Sequence, residues 1–291
     1  MAINGSQVNA ERKWKWLSFG APKGSGKSSF GMTAPGKKLV LQYDLGASTF
    51  PPGMDPNEFW VQTYPDSDAK GMHVGIGTER WTKSKEIYAK VITDLDAIVE
   101  AFKANEATIT LHDGSTVPLP DTLILDGLVR LDTIIVDGFC AMNNITDPSE
   151  AMDARGKAGG GTQKFWGRRL SNMNRLFSLV VSLPCHVGLI TWEDVKSSID
   201  ATGNISVTSK DPDIGGRLNV WGPGLMDASL YHYGMGGKFY VRTQPTQEIQ
   251  RVGLRNAYGL EPVIDVTIDP AGKLPLPWNR VFDRAAGKVV K

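Results

Sequence analysis

Cysteine is almost missing from this chain: Cys140 and Cys185 are the only two in 291 residues. Two thiols cannot build the disulfide framework of a small secreted domain, and both fall in or beside apolar runs, where a buried free thiol is expected. Also lacking is any apolar run near the ~18 residues that a membrane-spanning helix needs. The opening MAINGSQVNAERKWKW has no apolar centre of the kind an export signal carries. The expectation is therefore a cytoplasmic protein with no membrane partner. Neither sign of charge is in excess, since 32 Lys and Arg stand against 31 Asp and Glu. Any site for a polyanion must then be local rather than a property of the whole surface. Apolar residues are plentiful, at 41%, and in a chain of this length they can fill one large α/β core or two small ones.

The segment with the clearest chemistry is Ala21-Pro22-Lys23-Gly24-Ser25-Gly26-Lys27-Ser28, followed by Ser29. It matches the phosphate-binding P-loop with Ala in place of the first Gly. Glycines let backbone N–H groups converge on phosphate oxygens, the start of the following helix adds partial positive charge, and the Lys reaches the β- and γ-phosphates. The hydroxyl of Ser28 is then placed to ligate Mg²⁺. Context supports the motif. KWLSFG before it reads as a short buried strand and the residues from Ser28 to Thr33 as a short helix, closed by Pro35-Gly36. A second strand over 38–44 completes a βαβ unit, and ATP with Mg²⁺ is the expected ligand.

Beyond that unit the reading is coarser. Residues 45–82 are rich in Pro, Gly and Asp and are expected to be irregular. Ile87, Val91, Leu95, Ile98 and Phe102 recur at helical spacing, so a helix is expected over 85–104. TITL-HDGS-TVPL reads as a β-hairpin. DTLILDG at 121–127 and DTIIVDG at 132–138 each read as an apolar strand ending in Asp-Gly. A helix follows, marked by Trp166, Leu170, Met173, Phe177 and Val180, then the buried strand HVGLITW. Residues 193–224 are expected to be a long loop, and DASLYHYG, GKFYVRTQ and EPVIDVTID short closing strands. The divisions expected are a polar arm over 1–13, a nucleotide-binding domain over 14–265 with an insertion at about 45–120, and a tail over 266–291.

Completing the site takes carboxylates, one for Mg²⁺ and one to orient or deprotonate water. Asp137, after Ile134-Ile135-Val136, is preferred for the metal because it ends an apolar run that precedes the long helix; Asp126 is its competitor. For the base, Asp44 ends the second strand, and Glu193 follows HVGLITW with Thr191 beside it. The sequence leaves that choice open.

FGAPKGSGKSS, LVLQYD, LDTIIVDG followed by FWGRRLSNMNRLF, and HVGLITWED together resemble the RecA-like ATPases, most closely a compact phage-encoded group that includes single-strand annealing proteins. VGLRNAYGL at 252–260 looks like the lysine-any-arginine segment of hexameric replicative helicases. The resemblance implies a RecA-like α/β fold, with a mostly parallel central sheet flanked by helices and a β-rich C-terminal part. It implies DNA-stimulated ATP hydrolysis during phage recombination or replication inside a bacterial cell, with the chain assembled on itself as a ring or filament. Single-stranded DNA is the implied partner, and Arg255 is the implied finger reaching a neighbouring subunit's γ-phosphate. The candidate DNA contacts are Arg155, Lys157 and Lys164 in one loop region and Lys196, Lys210 and Arg217 in another, with Trp221 able to stack on a base. Two positions depart from the pattern: Gly46 stands where the family often has Glu, and Gly253 where the helicases have Lys. A small-molecule kinase and a nucleotide-switched assembly protein without turnover are the two rival classes.

Overall fold

A computed structural model describes residues 12–21, 24–44, 51, 54–64, 78–142, 161–200, 202–214, 218–255 and 260–288. The chain is mixed α/β, organised around one large sheet. Strand β1 (Lys15–Gly20) is buried along its whole length. It is flanked in parallel by β10 (Ala228–Met235) and by β7 (His186–Ile190). On the β7 side the parallel pairing continues through β6 (Thr122–Asp126), β2 (Lys38–Gln42) and β3 (Phe59–Thr63). On the other side β11 (Lys238–Arg242), β12 (Gly253–Leu254) and β13 (Val263–Asp265) add antiparallel strands. The C-terminal part is thus where the sheet turns from parallel to mixed.

The apolar runs in β1, β2, β6 and β7 follow from cover on both faces of the sheet. Leu17, Leu39, Leu41, Leu123, Leu125 and Leu189 point to one face and pack with three helices: α2 (Thr78–Ala104), α3 (Leu128–Met142) and α4 (Gly161–Ser182). Alternate residues Trp16, Val40, Ile124 and Ile190 point to the other face, meeting Phe30 of α1 (Lys27–Met32) and Trp278, Val281 and Phe282. No helix among the described residues is long and apolar enough to cross a membrane.

The structure corrects four expectations. DTIIVDG is not a strand but part of α3, because Leu128, Leu131, Ile134 and Ile135 form a helical stripe buried on the sheet. A continuous apolar run carries no periodicity of its own, and the stripe only emerges when Leu128 and Leu131 are counted with it. Residues 45–82 are not irregular throughout, since β3 extends the sheet beside β2 and α2 begins at Thr78. Residues of α2 join the core on one face of the sheet, and the hairpin of β4 (Thr108–Thr110) and β5 (Thr116–Pro118) forms as expected. Residues 193–224 contain a paired hairpin, β8 (Glu193–Ile199) with β9 (Ile205–Pro212), and a short helix α5 (Leu218–Leu225). The expected tail contributes core: Trp278 contacts both Trp16 and Phe282, with ring centroids 4.8 and 4.1 Å away.

Candidate nucleotide site

At the C-terminal edge of the parallel strands, β1 ends at Gly20 and the chain enters the glycine loop. Gly24 and Gly26 have φ of 69° and 79°, a left-handed region open to glycine at little cost. Gly26 also stands against the ring of Phe239, where a β-carbon would lie 3.1 Å from Cγ. It caps α1 without any side-chain hydrogen bond, which leaves the first N–H groups of that helix to a ligand.

Lys27 is buried, and its ammonium donates to Ser25 Oγ at 2.9 Å and to the carbonyl of Ala21. Burial lowers this group to about 8, while the carboxylates of Asp126, Glu193 and Asp44 pull the other way. Ser28 Oγ donates to Asp126 Oδ2 at 2.7 Å. Asp126 ends β6, and burial raises its carboxyl to about 6 against the opposing Ser28 hydrogen bond, with Asp44 adding to the rise. Asp44, just past β2, is also raised by burial, opposed by Arg130 and Lys27. Glu193 opens β8; it accepts from the Tyr231 hydroxyl at 2.9 Å and faces Lys210 at 3.8 Å.

The structure therefore gathers Lys27, Ser28, Asp44 and Glu193 around one point, with Ser29 following in α1. It does not do so for Asp137. That residue lies in the third turn of α3, about 14 Å along the axis from the helix start, and the place at the strand end belongs to Asp126. Thr191 is buried with its hydroxyl donated to the Asp213 carbonyl, so it serves the loop rather than a ligand. Arg255 sits at the opposite, N-terminal edge of the sheet, where it faces Asp227 at 3.7 Å and donates to the Gly224 carbonyl. Its guanidinium is not brought to this chain's own loop. Lys196 and Lys210 lie on the β8–β9 hairpin. Pro22, Lys23, Arg155, Lys157 and Arg217 fall outside the described residues, as do the side chains of Lys164, Trp221 and Cys140.

No family model and no curated protein matches the chain.

The donor set fits the ligands that the loop implies. Mg²⁺ takes oxygen ligands in octahedral geometry and keeps waters or phosphate oxygens for most positions, so one hydroxyl and one carboxylate 2.7 Å apart are a suitable protein share. An ammonium spending its hydrogen bonds on loop carbonyls and a hydroxyl is equally suited to exchange them for phosphate oxygens. Residues that sequence reasoning undervalued are Asp126, Arg130 and Tyr231. Asp126 was legible as the end of Leu123-Ile124-Leu125, whereas Arg130 and Tyr231 carry no motif and are drawn in by the helix start at Leu128 and by the β1–β10 pairing.

Proposed function

We propose that this protein is a RecA-like ATPase that binds ATP with Mg²⁺ at the 21–29 loop, hydrolyses it, and acts as an oligomer on single-stranded DNA in phage recombination or replication. The observation that carries the nucleotide reading is the 2.7 Å hydrogen bond from Ser28 to Asp126, which joins the loop to a buried strand end 98 positions away beside the Lys27 ammonium. A chance glycine-lysine turn has no reason to face a carboxylate at the end of a parallel strand.

Bound Mg²⁺ would neutralise charge on the β- and γ-phosphate oxygens and ease departure of the leaving phosphate. The residues do the rest. Lys27 releases the loop carbonyl and takes a phosphate oxygen, and the first-turn N–H groups of α1, which have no acceptor within the helix, hold the others. Ionised Asp126 and the Ser28 hydroxyl are the residues that would hold the metal. Of the two candidate bases, Asp44 is the better placed to accept a proton. Burial raises its carboxyl, whereas Glu193 already accepts from the Tyr231 hydroxyl and faces Lys210 at 3.8 Å.

The reading toward DNA is supported by the hairpin that starts at Glu193. Its cross-strand pairs Ile199↔Ile205 and Ser197↔Val207 put Ile199, Ile205 and Val207 on one face, all exposed. Aliphatic side chains on a projecting ribbon can pack against unstacked bases, and Lys196 and Lys210 can meet phosphates. Because the same ribbon begins in the nucleotide site, a strand held there shifts Glu193 and thus the ATP pocket. The test is ATPase activity of the parent and of Lys27→Ala, with and without single-stranded DNA at stated salt. Stimulation in the parent and loss in the variant are expected. A parent with full turnover but no response to DNA at low salt would remove the DNA part; a parent that binds no magnesium nucleotide would remove the whole.

A further inference from the structure

Away from the nucleotide loop, the N-terminal edge of the sheet carries a cleft of about 440 Å³ between β12 and the end of α5, lined by Gly224, Asp227, Ser229, Gln250, Arg251 and Arg255 among others. Its two arginines are poorly matched by acids. Asp227 is taken by Arg12 at 2.6 Å and by the Lys15 N–H at 2.9 Å, so Arg255 stands off at 3.7 Å. Asp211 is taken by Lys196 at 3.1 Å, so Arg251 stands off at 3.8 Å. Four cations thus share two carboxylates, and both cleft arginines are the second partner, beyond hydrogen-bonding range. Each is more than one-third exposed; Arg255 keeps one N–H on the Gly224 carbonyl, and the remaining donors of both face an outside anion.

The cleft is also continuous with the β8–β9 hairpin. Asp211 belongs to β9 and bridges Lys196 of β8 to Arg251, and the Lys210 N–H donates to the Glu248 carbonyl at 2.8 Å, tying the loop before β12 to the hairpin base. Cations therefore step from the hairpin, past Asp211, to the far edge of the sheet.

We infer that the Arg251–Arg255 cleft is a second anion site, which takes the phosphodiester backbone of a single strand as it leaves the hairpin. This rests on the DNA reading above. Guanidinium forks bind phosphate oxygens two at a time, so the cleft contributes affinity without base preference.

The test is fluorescence anisotropy of a labelled oligothymidylate against salt concentration, for the parent, for Arg251→Ala with Arg255→Ala, and for both positions changed to Lys. Each single-strand phosphate contact adds about 0.7 to the slope of log affinity against log salt, so losing two should flatten it by about 1.4, with the Lys pair keeping most of the slope. In an otherwise unaltered chain, a photo-crosslinking residue at Gln250 should attach to the oligonucleotide, which decides the matter if the alanine pair fails to fold. An unchanged slope with no crosslink to DNA, in a parent that binds DNA, overturns the cleft alone. Crosslinking of Gln250 to a second copy of the chain in place of DNA overturns it as well and makes the cleft a subunit contact. A parent that binds no single-stranded DNA at any salt overturns both the cleft and the DNA reading.

Discussion

Asp44 lies so close to Gly127 that a β-carbon on the glycine would stand 2.7 Å from the Asp44 carboxyl carbon. Gly127 also has φ of 96°, at the point where β6 ends and α3 begins. Strand, turn and neighbouring carboxylate are therefore set by one missing side chain. Gly127→Ala should push Asp44 out of place and strain the turn, costing about 1–3 kcal/mol of stability. ATP turnover should fall at least tenfold while magnesium-nucleotide affinity changes little. Calorimetric binding beside steady-state kinetics separates the two effects, and an equal loss in both would mean that Asp44 acts in binding rather than in the chemical step.

Asp126→Asn and Asp137→Asn distinguish the strand-end carboxylate from the helix carboxylate. The first should abolish Mg²⁺-dependent turnover; the second should leave the metal dependence as it is. Asp126→Asn should also stabilise the nucleotide-free protein at neutral pH. The folded carboxyl titrates near 6 and the unfolded one near 3.8. The folded state therefore holds the proton longer, and stability from this group is full below about 4 and lost as pH rises through about 6. Removing the ionisable group should recover about 1–3 kcal/mol above pH 6 and nothing below pH 4. Urea unfolding at pH 4 and pH 7.5 checks both signs.

How far the sequence reaches is visible in this pair of aspartates. The loop, β1, β2, β6 and β7 were legible because glycine-lysine order and short apolar runs are local signals, and both Lys27 and Ser28 came with the motif. Asp126 was legible only as a rival, because LILDG and IIVDG look alike as strings. What separates them is Leu128 and Leu131, which extend the second string into a helical stripe. The β8–β9 hairpin was hidden because its exposed apolar face is uncovered by any core, so alternation there lacks the buried half that usually reveals a strand. The seat of β10 beside β1, and with it the site's Tyr231, depends on pairing between segments more than 200 positions apart, Phe19↔Tyr231 among them, and no local pattern encodes such pairing.

Lys27 gives a pH dependence of opposite character. Burial holds its ammonium at about 8 in the nucleotide-free protein, and a triphosphate tail beside it should raise that value. Binding should therefore take up about half a proton per nucleotide at pH 8 and close to one at about pH 9, and affinity should decline as pH climbs past 8 while the free group loses its charge. Calorimetry in two buffers of different ionisation enthalpy reads the proton directly. Zero uptake there would mean that the amine does not touch the phosphates.

Asp94 of α2 is fully buried and accepts from the Tyr64 hydroxyl at 2.6 Å, the His112 N–H at 2.6 Å and His112 Nδ1 at 2.7 Å. It pins the β4–β5 hairpin and the end of β3 to the helix layer. Tyr64 in turn stacks on Tyr43 at 5.2 Å, one position before Asp44. Asp94→Ala leaves three donors without an acceptor in a closed space and should cost about 3–5 kcal/mol. Tyr64→Phe removes one donor and should cost about 1–2 kcal/mol. Because both changes empty the same bond, the double variant should cost clearly less than the sum, by about 1 kcal/mol or more. Chemical denaturation of the four proteins completes the cycle; strict additivity would show that Tyr64 finds its stability in ring packing and not in the carboxylate.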